Sequence, residues 1–157
     1  MILWNTACYN FKGISIPPTV STFYVDQFQN ALGNAPPEIG QQFSESLKDI
    51  VLNGSRLSYD ETQPDIEFSG SVSSFRVNSV APQETDTGFG SALNRLEISI
   101  SVDYTNNQDD EENWTQSFSF FADFDSTEDL ASVQEDLILE IFSQLSEDVF
   151  NRAFTNW

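Results

Sequence analysis

The sequence contains no histidine and a single cysteine, and only 6 lysines and arginines stand against 25 aspartates and glutamates. Without histidine there is no Ser-His-Asp or Cys-His nucleophile system and no imidazole metal ligand. One thiol makes neither an intrachain disulfide nor a thiolate cluster. No apolar run approaches the roughly 18 residues that cross a bilayer as a helix. The shortage of positive charge leaves a formal net charge of −19. A surface of that sign repels nucleic acid and anionic membrane surfaces, so no nucleic-acid partner is expected. The acids are spread along the whole chain, as on a solvated surface.

What is present is a chain of 157 residues with 14 phenylalanines, long enough for one domain with a sizeable core. No internal repeat and no long linker divides it. Residues 1–4, MILW, are shorter than the roughly 7–15-residue apolar stretch of a signal peptide. Either the chain is cytosolic or its true start lies upstream of Met1.

After Cys8, Tyr9, Phe11 and Gly13 alternate with Asn10 and Lys12 as in a strand, which Pro17 and Pro18 stop. A second strand is expected over 20–29. Ile39, Phe43, Leu47, Ile50 and Val51 share one helical face over 37–53, with Asn53-Gly54 as a left-handed stop. Three long strands follow, over 65–80, 93–105 and 113–124, the first with a phase shift near Ser73-Ser74 that predicts a bulge. Leu130, Val133, Leu137, Ile141, Leu145, Val149 and Phe154 mark a last helix over 126–154, with Asp125 or Ser126 as its cap. The order ββαβββα predicts an α+β fold: an antiparallel or mixed sheet of four to five strands with two helices packed on one face.

Candidate sites are few. Asp109 to Glu112 form an acidic run between two strands, but its spacing is not that of a calcium loop and it reads as a solvated hairpin tip. Asp123 and Asp125 are two apart and so share a side of an extended chain, which is an arrangement open to acid–base work; capping accounts for Asp125 more simply. No catalytic, metal or cofactor site is expected. Phe89 lies between Gly88 and Gly90 in a long loop, and is either an exposed contact point or folded back on the sheet. Phe121 falls on the wet face of a strand whose other phenylalanines face the core, which suits a protein partner. Cys8 is a small buried residue, a reactive thiol or a covalent handle.

The segments CYNFKGISIPP, ALNRLEISISVDYTN and FADFDSTEDLASVQEDLILEIFSQLSEDVFNRAFTNW resemble the lipopolysaccharide-assembly lipoprotein family LptE, from Cys8 to Trp157. The resemblance implies a non-enzymatic lipoprotein of the outer membrane, lipid-anchored on its periplasmic side. It would plug the LptD β-barrel translocon and assist its assembly. It also implies a small sheet carrying two helices, with Cys8 as the lipidated residue. Residues 1–7 would then be the remainder of a signal and lipobox region, and 8–157 one LptE-like domain. Thr6 and Ala7 suit a lipobox; Asn5 stands where a large apolar residue is usual. Contact with lipopolysaccharide is a further implication, but a phosphate clamp would use arginine and lysine. Lys12, Lys48, Arg56, Arg76, Arg95 and Arg152 are scattered, which favours the plug and assembly role. The alternative from another class is a free secreted binding module with acidic, cation-binding loops; a carboxylate-dependent hydrolase comes third.

Overall fold

A computed structural model of the protein describes residues 13–155. Cys8 and most of the first expected strand, Tyr9 to Lys12, lie outside the described residues. At that strand's end Gly13 stands in a turn, Ile14 makes one antiparallel bridge to Thr155, and the Ser15 amide donates to the Phe154 carbonyl.

The elements follow as β1 (Thr22–Val25), β2 (Gln29–Asn30), α1 (Ile39–Gly54), β3 (Ser58–Tyr59), β4 (Ile66–Val80), β5 (Glu84–Thr85), β6 (Gly88–Phe89), β7 (Leu93–Asn106), a 3-10 turn (Asp110–Glu112), β8 (Trp114–Asp125) and α2 (Leu130–Phe154). The main sheet runs β3-β1-β4-β7-β8, with β2 also paired to β4; β5 and β6 make a separate small hairpin. The fold is α+β, as expected.

The three long strands pair antiparallel, β4 with β7 and β7 with β8, and the bulge falls between Val72 and Ser74. The single strand expected over 20–29 is instead two short strands, both parallel to β4. Hydrogen bonds explain the break. The Asp26 amide donates to the Phe68 carbonyl, the Asp26 carboxylate accepts from the Gln27 amide, and Ser44 Oγ accepts from the Phe28 amide. Phe28 enters the core there, and the chain rejoins β4 at Ser71 and Val72.

Alternation decides which sheet face is covered. Ile66, Phe68, Val72 and Phe75 of β4, Leu96, Ile98, Ile100 and Val102 of β7, and Phe118, Ala122 and Phe124 of β8 are buried in the core with both helices. An aromatic chain links the layers. Phe28 meets Phe43 of α1 edge-on at 4.8 Å, and Phe43 meets Phe142 of α2 at 5.3 Å. Each such buried ring contributes about 2–3 kcal/mol through area removed from water. The helices also meet at two serines, Ser146 Oγ donating to Ser46 Oγ at 2.9 Å.

Both helix boundaries differ from the sequence expectation. Gly54 does not adopt a left-handed conformation; Ser55 closes α1, its amide and hydroxyl both donating to the Val51 carbonyl. Absence of a side chain matters at Gly54 for another reason, since a Cβ would press on the Phe150 ring at 3.0 Å. Helix α2 begins at Leu130 rather than 126, because Asp125 is used in a turn, accepting from both the amide and the hydroxyl of Thr127.

One carboxylate ties the start of β1 to the β7–β8 connection. Asp65 Oδ2 accepts from the amides of Ser21 (2.7 Å) and Thr22 (3.1 Å), and Oδ1 accepts from Gln108 Nε2 (2.7 Å). These donors, the Ser21 amide foremost, hold its pKa down at about 2. A depressed carboxylate stabilises the fold above its unfolded pKa near 4, and the contribution is lost as pH falls toward 2. Asp65→Asn is therefore expected to lower stability at pH 7 by about 1–2 kcal/mol, a figure discounted for the partial exposure of the group. In urea melts the gap from wild type should close as pH falls from 4 to 2; a gap independent of pH would contradict this assignment.

Candidate functional site: the open sheet face and its hairpin

The sheet face away from the helices is uncovered by any described element, and strand register sets its pattern. Ser74, Ser99 and Ser119 lie side by side across β4, β7 and β8, as do Ser71, Ser101 and Ser117. Ser99 and Ser119 hydroxyls are 2.7 Å apart. In the next row Arg76, Glu97 and Phe121 are neighbours, and beyond them Arg95 opposes Asp123.

Phe121 is placed on this face as expected and is 41% exposed. Its ring is not bare. The Arg95 guanidinium lies 3.7 Å from the ring centroid while Nε and Nη2 donate to the Asp123 carboxylate at 2.7 and 2.9 Å. The hydrogen bonds from Arg95 hold the Asp123 carboxyl below its ordinary pKa. Arg76 donates to Glu97 at 2.9 Å. A guanidinium over an exposed ring is worth about 0.5–1 kcal/mol and holds the ring in one orientation. Asp123 is thus an ion-pair partner, and Asp125 is a turn residue. The two carboxylates are not joined as a pair.

Phe89 lies in the β5–β6 hairpin, which joins the end of β4 to the start of β7, and is 79% exposed. Of the two alternatives open in the sequence, it takes the exposed one. Gly88 enters the strand with φ +119, a conformation that favours glycine. The structure does not bring Phe89 and Phe121 into contact.

The acidic tip is self-satisfied in part. The Asp109 carboxylate accepts from the Glu111 amide, and Glu112 Oε2 accepts from Asn106 Nδ2 at 2.6 Å. No group of carboxylates placed to hold a metal ion is found among the described residues.

The cations, scattered in sequence, are all engaged within the protein, among the described residues. Lys48 Nζ lies 3.6 Å from the Tyr59 ring centroid, and Arg56 donates to the Val20 and Pro17 carbonyls. Arg152 donates to Gln116 and sits over Trp114. With Arg76 and Arg95 paired on the open face, no described side chain offers an unengaged positive charge. The cross-strand parity of Arg95 and Asp123 was the available signal for their pairing; their register is set only by the folded sheet.

These features define an α+β domain with one polar sheet face, on which Arg95 clamps Phe121, and an exposed Phe89 in the separate hairpin; no described helix is long and apolar enough to cross a membrane. The family model for LptE, lipopolysaccharide-assembly, matches residues 20–153. The chain belongs to the LptE family. No curated protein matches it in sequence. Among solved structures it is similar to a hypothetical protein of Chlamydia trachomatis, with 7% identity and a TM-score of 0.55 over 85% of this chain and 98% of that one. It is similar also to a Xanthomonas campestris protein, at 10% identity and TM-score 0.53 over 87% of each chain. A third similar structure is a Caulobacter crescentus protein assigned as a lipoprotein, at 10% identity and TM-score 0.53 over 83% of this chain and 87% of that one. At these identities the likeness is one of fold.

Proposed function

We propose that this LptE-family protein is the non-enzymatic lipoprotein subunit of a lipopolysaccharide-transport machine. It is anchored in the outer membrane through acyl chains on Cys8, and it plugs and helps assemble an LptD-type β-barrel. The observation that carries the reading is the family match over residues 20–153. The open face supports it: a barrel lumen is lined with polar groups, and the two rows of serine hydroxyls across β4, β7 and β8 offer such a wall hydrogen-bond partners. Phe121 and Phe89 are the aromatic contacts, Phe121 held in orientation by Arg95. The engagement of every described cation favours plugging over direct clamping of lipid phosphates. Carboxylate side chains bonded back into the acidic tip lend no support to the secreted cation-binding alternative.

The test is co-purification of tagged chain with the barrel from native membranes. Phe121→Ala and Phe89→Ala are each expected to weaken association by about 2 kcal/mol, roughly thirtyfold. The melting transition of each purified variant should stay near wild type. Full retention of the barrel by both variants, or unfolding of either, would remove these residues from the contact.

A further inference from the structure

The two edges of the sheet are built differently. One ends in β3, a strand of only two residues. The other is β8, twelve residues long, whose register with β7 runs without a shift from Leu93–Asp125 to Tyr104–Trp114. From Thr115 to Ala122 it holds no charge, no proline and no glycine. Natural edge strands are normally kept from pairing by being short, bulged or furnished with lysine or proline. β8 has none of these devices. Among the described residues its backbone has one strand neighbour, and no turn or side-chain bond occupies the outer N–H and C=O groups of Thr115–Ala122. In an antiparallel ladder every second residue points those groups outward.

Charge then selects the occupant. Both ends of the neutral stretch are acidic: Asp109 to Glu112 precede it, and Asp123, Asp125, Glu128 and Asp129 follow it. Of these, among the described residues, Asp123 alone is neutralised by an ion pair, to Arg95. A second copy fits poorly. Antiparallel self-pairing lays the Asp109–Glu112 tip of each molecule beside the Asp125–Asp129 end of the other, and parallel pairing lays like on like. With −19 on each chain, both arrangements repel.

We propose that the outer edge of β8 is a strand-acceptor site for an extended segment of a different polypeptide, uncharged over about eight residues and carrying lysine or arginine at both ends. The site is distinct from the broad sheet face assigned to the barrel, and the proposal does not rest on that assignment.

The test uses the full chain and two synthetic peptides. Each has an alternating threonine-valine stretch of about eight residues; one is flanked by two lysines at either end, the other by two glutamates. Amide exchange is followed by NMR. With the lysine peptide, alternate amides between Thr115 and Ala122 should slow by about tenfold or more. The lysine peptide should bind at least about tenfold more tightly than the glutamate peptide, with the difference shrinking in about 0.5 M salt. Ser117→Lys should weaken binding of the lysine peptide without changing the melting temperature. The proposal is overturned if neither peptide alters exchange in β8, if both bind alike, or if protection appears on another strand. It is equally overturned if those alternate amides are already protected before peptide is added, or if sedimentation shows a dimer, since the edge is then covered by the chain itself or by a second copy.

Discussion

Gly70→Ala is expected to produce the largest loss of stability of any single-methyl addition in the sheet. Gly70 sits in β4 with φ +153, a conformation L side chains rarely adopt. A Cβ there would lie 2.0 Å from the Ser101 carbonyl oxygen and 2.8 Å from the Phe28 ring. Neither neighbour yields easily. Ser101 belongs to the β4–β7 pairing, and Phe28 is buried edge-on against Phe43. Backbone strain of about 1–3 kcal/mol adds to an overpacking penalty of similar size, giving about 3 kcal/mol or more. For a domain of this length that lowers the melting temperature by about 6–12 °C. Gly33→Ala is the control, because nothing lies within 4 Å of a Cβ built at that position. Thermal and urea melts of the two variants check the difference. A Gly70→Ala protein that melts with wild type would show that β4 can shift at this point, and the close packing of Phe28 under the sheet would not be the constraint described.

Cys8→Ser is expected to have the largest effect on location. In the proposed function Cys8 carries the acyl chains, and each buried methylene contributes about 0.8 kcal/mol to membrane partition, so more than one chain holds the protein stably. Removing the attachment atom should move nearly all of the full-length protein from the membrane fraction to the soluble fraction, as fractionation of native cells would read directly. Unchanged membrane association would contradict the anchor. A serine variant that melts well below wild type would instead identify the thiol as a packing group.

The long elements were legible because their periodicity follows from burial on one side. Leu96, Ile98, Ile100 and Val102 alternate in β7 and all four are buried; the stripe from Leu137 to Val149 in α2 does the same at helical spacing. The bulge in β4 was visible as a change of phase. Less legible was everything decided by hydrogen bonds between distant residues. Nothing local marks Asp26 as the end of β1, because its amide is held by the Phe68 carbonyl across the sheet. Asp125 has the chemistry of a helix cap and spends it on Thr127. Gly54 resembles a left-handed stop and is required instead by the ring of Phe150. At the candidate site, the exposure of Phe121 followed from strand parity. The Arg95 that covers it did not, since that contact depends on register. For Phe89 the flanking glycines left two conformations open, and the hairpin decides between them.

In the proposed function the chain serves a lipopolysaccharide-assembly barrel. Depleting it in its native host and measuring both folded LptD-type barrel in the outer membrane and newly exported surface lipopolysaccharide tests this most directly. Both are expected to fall together and to be restored by the wild-type chain, with Phe89→Ala and Phe121→Ala restoring less. Normal levels of folded barrel and surface lipopolysaccharide after complete depletion would contradict it.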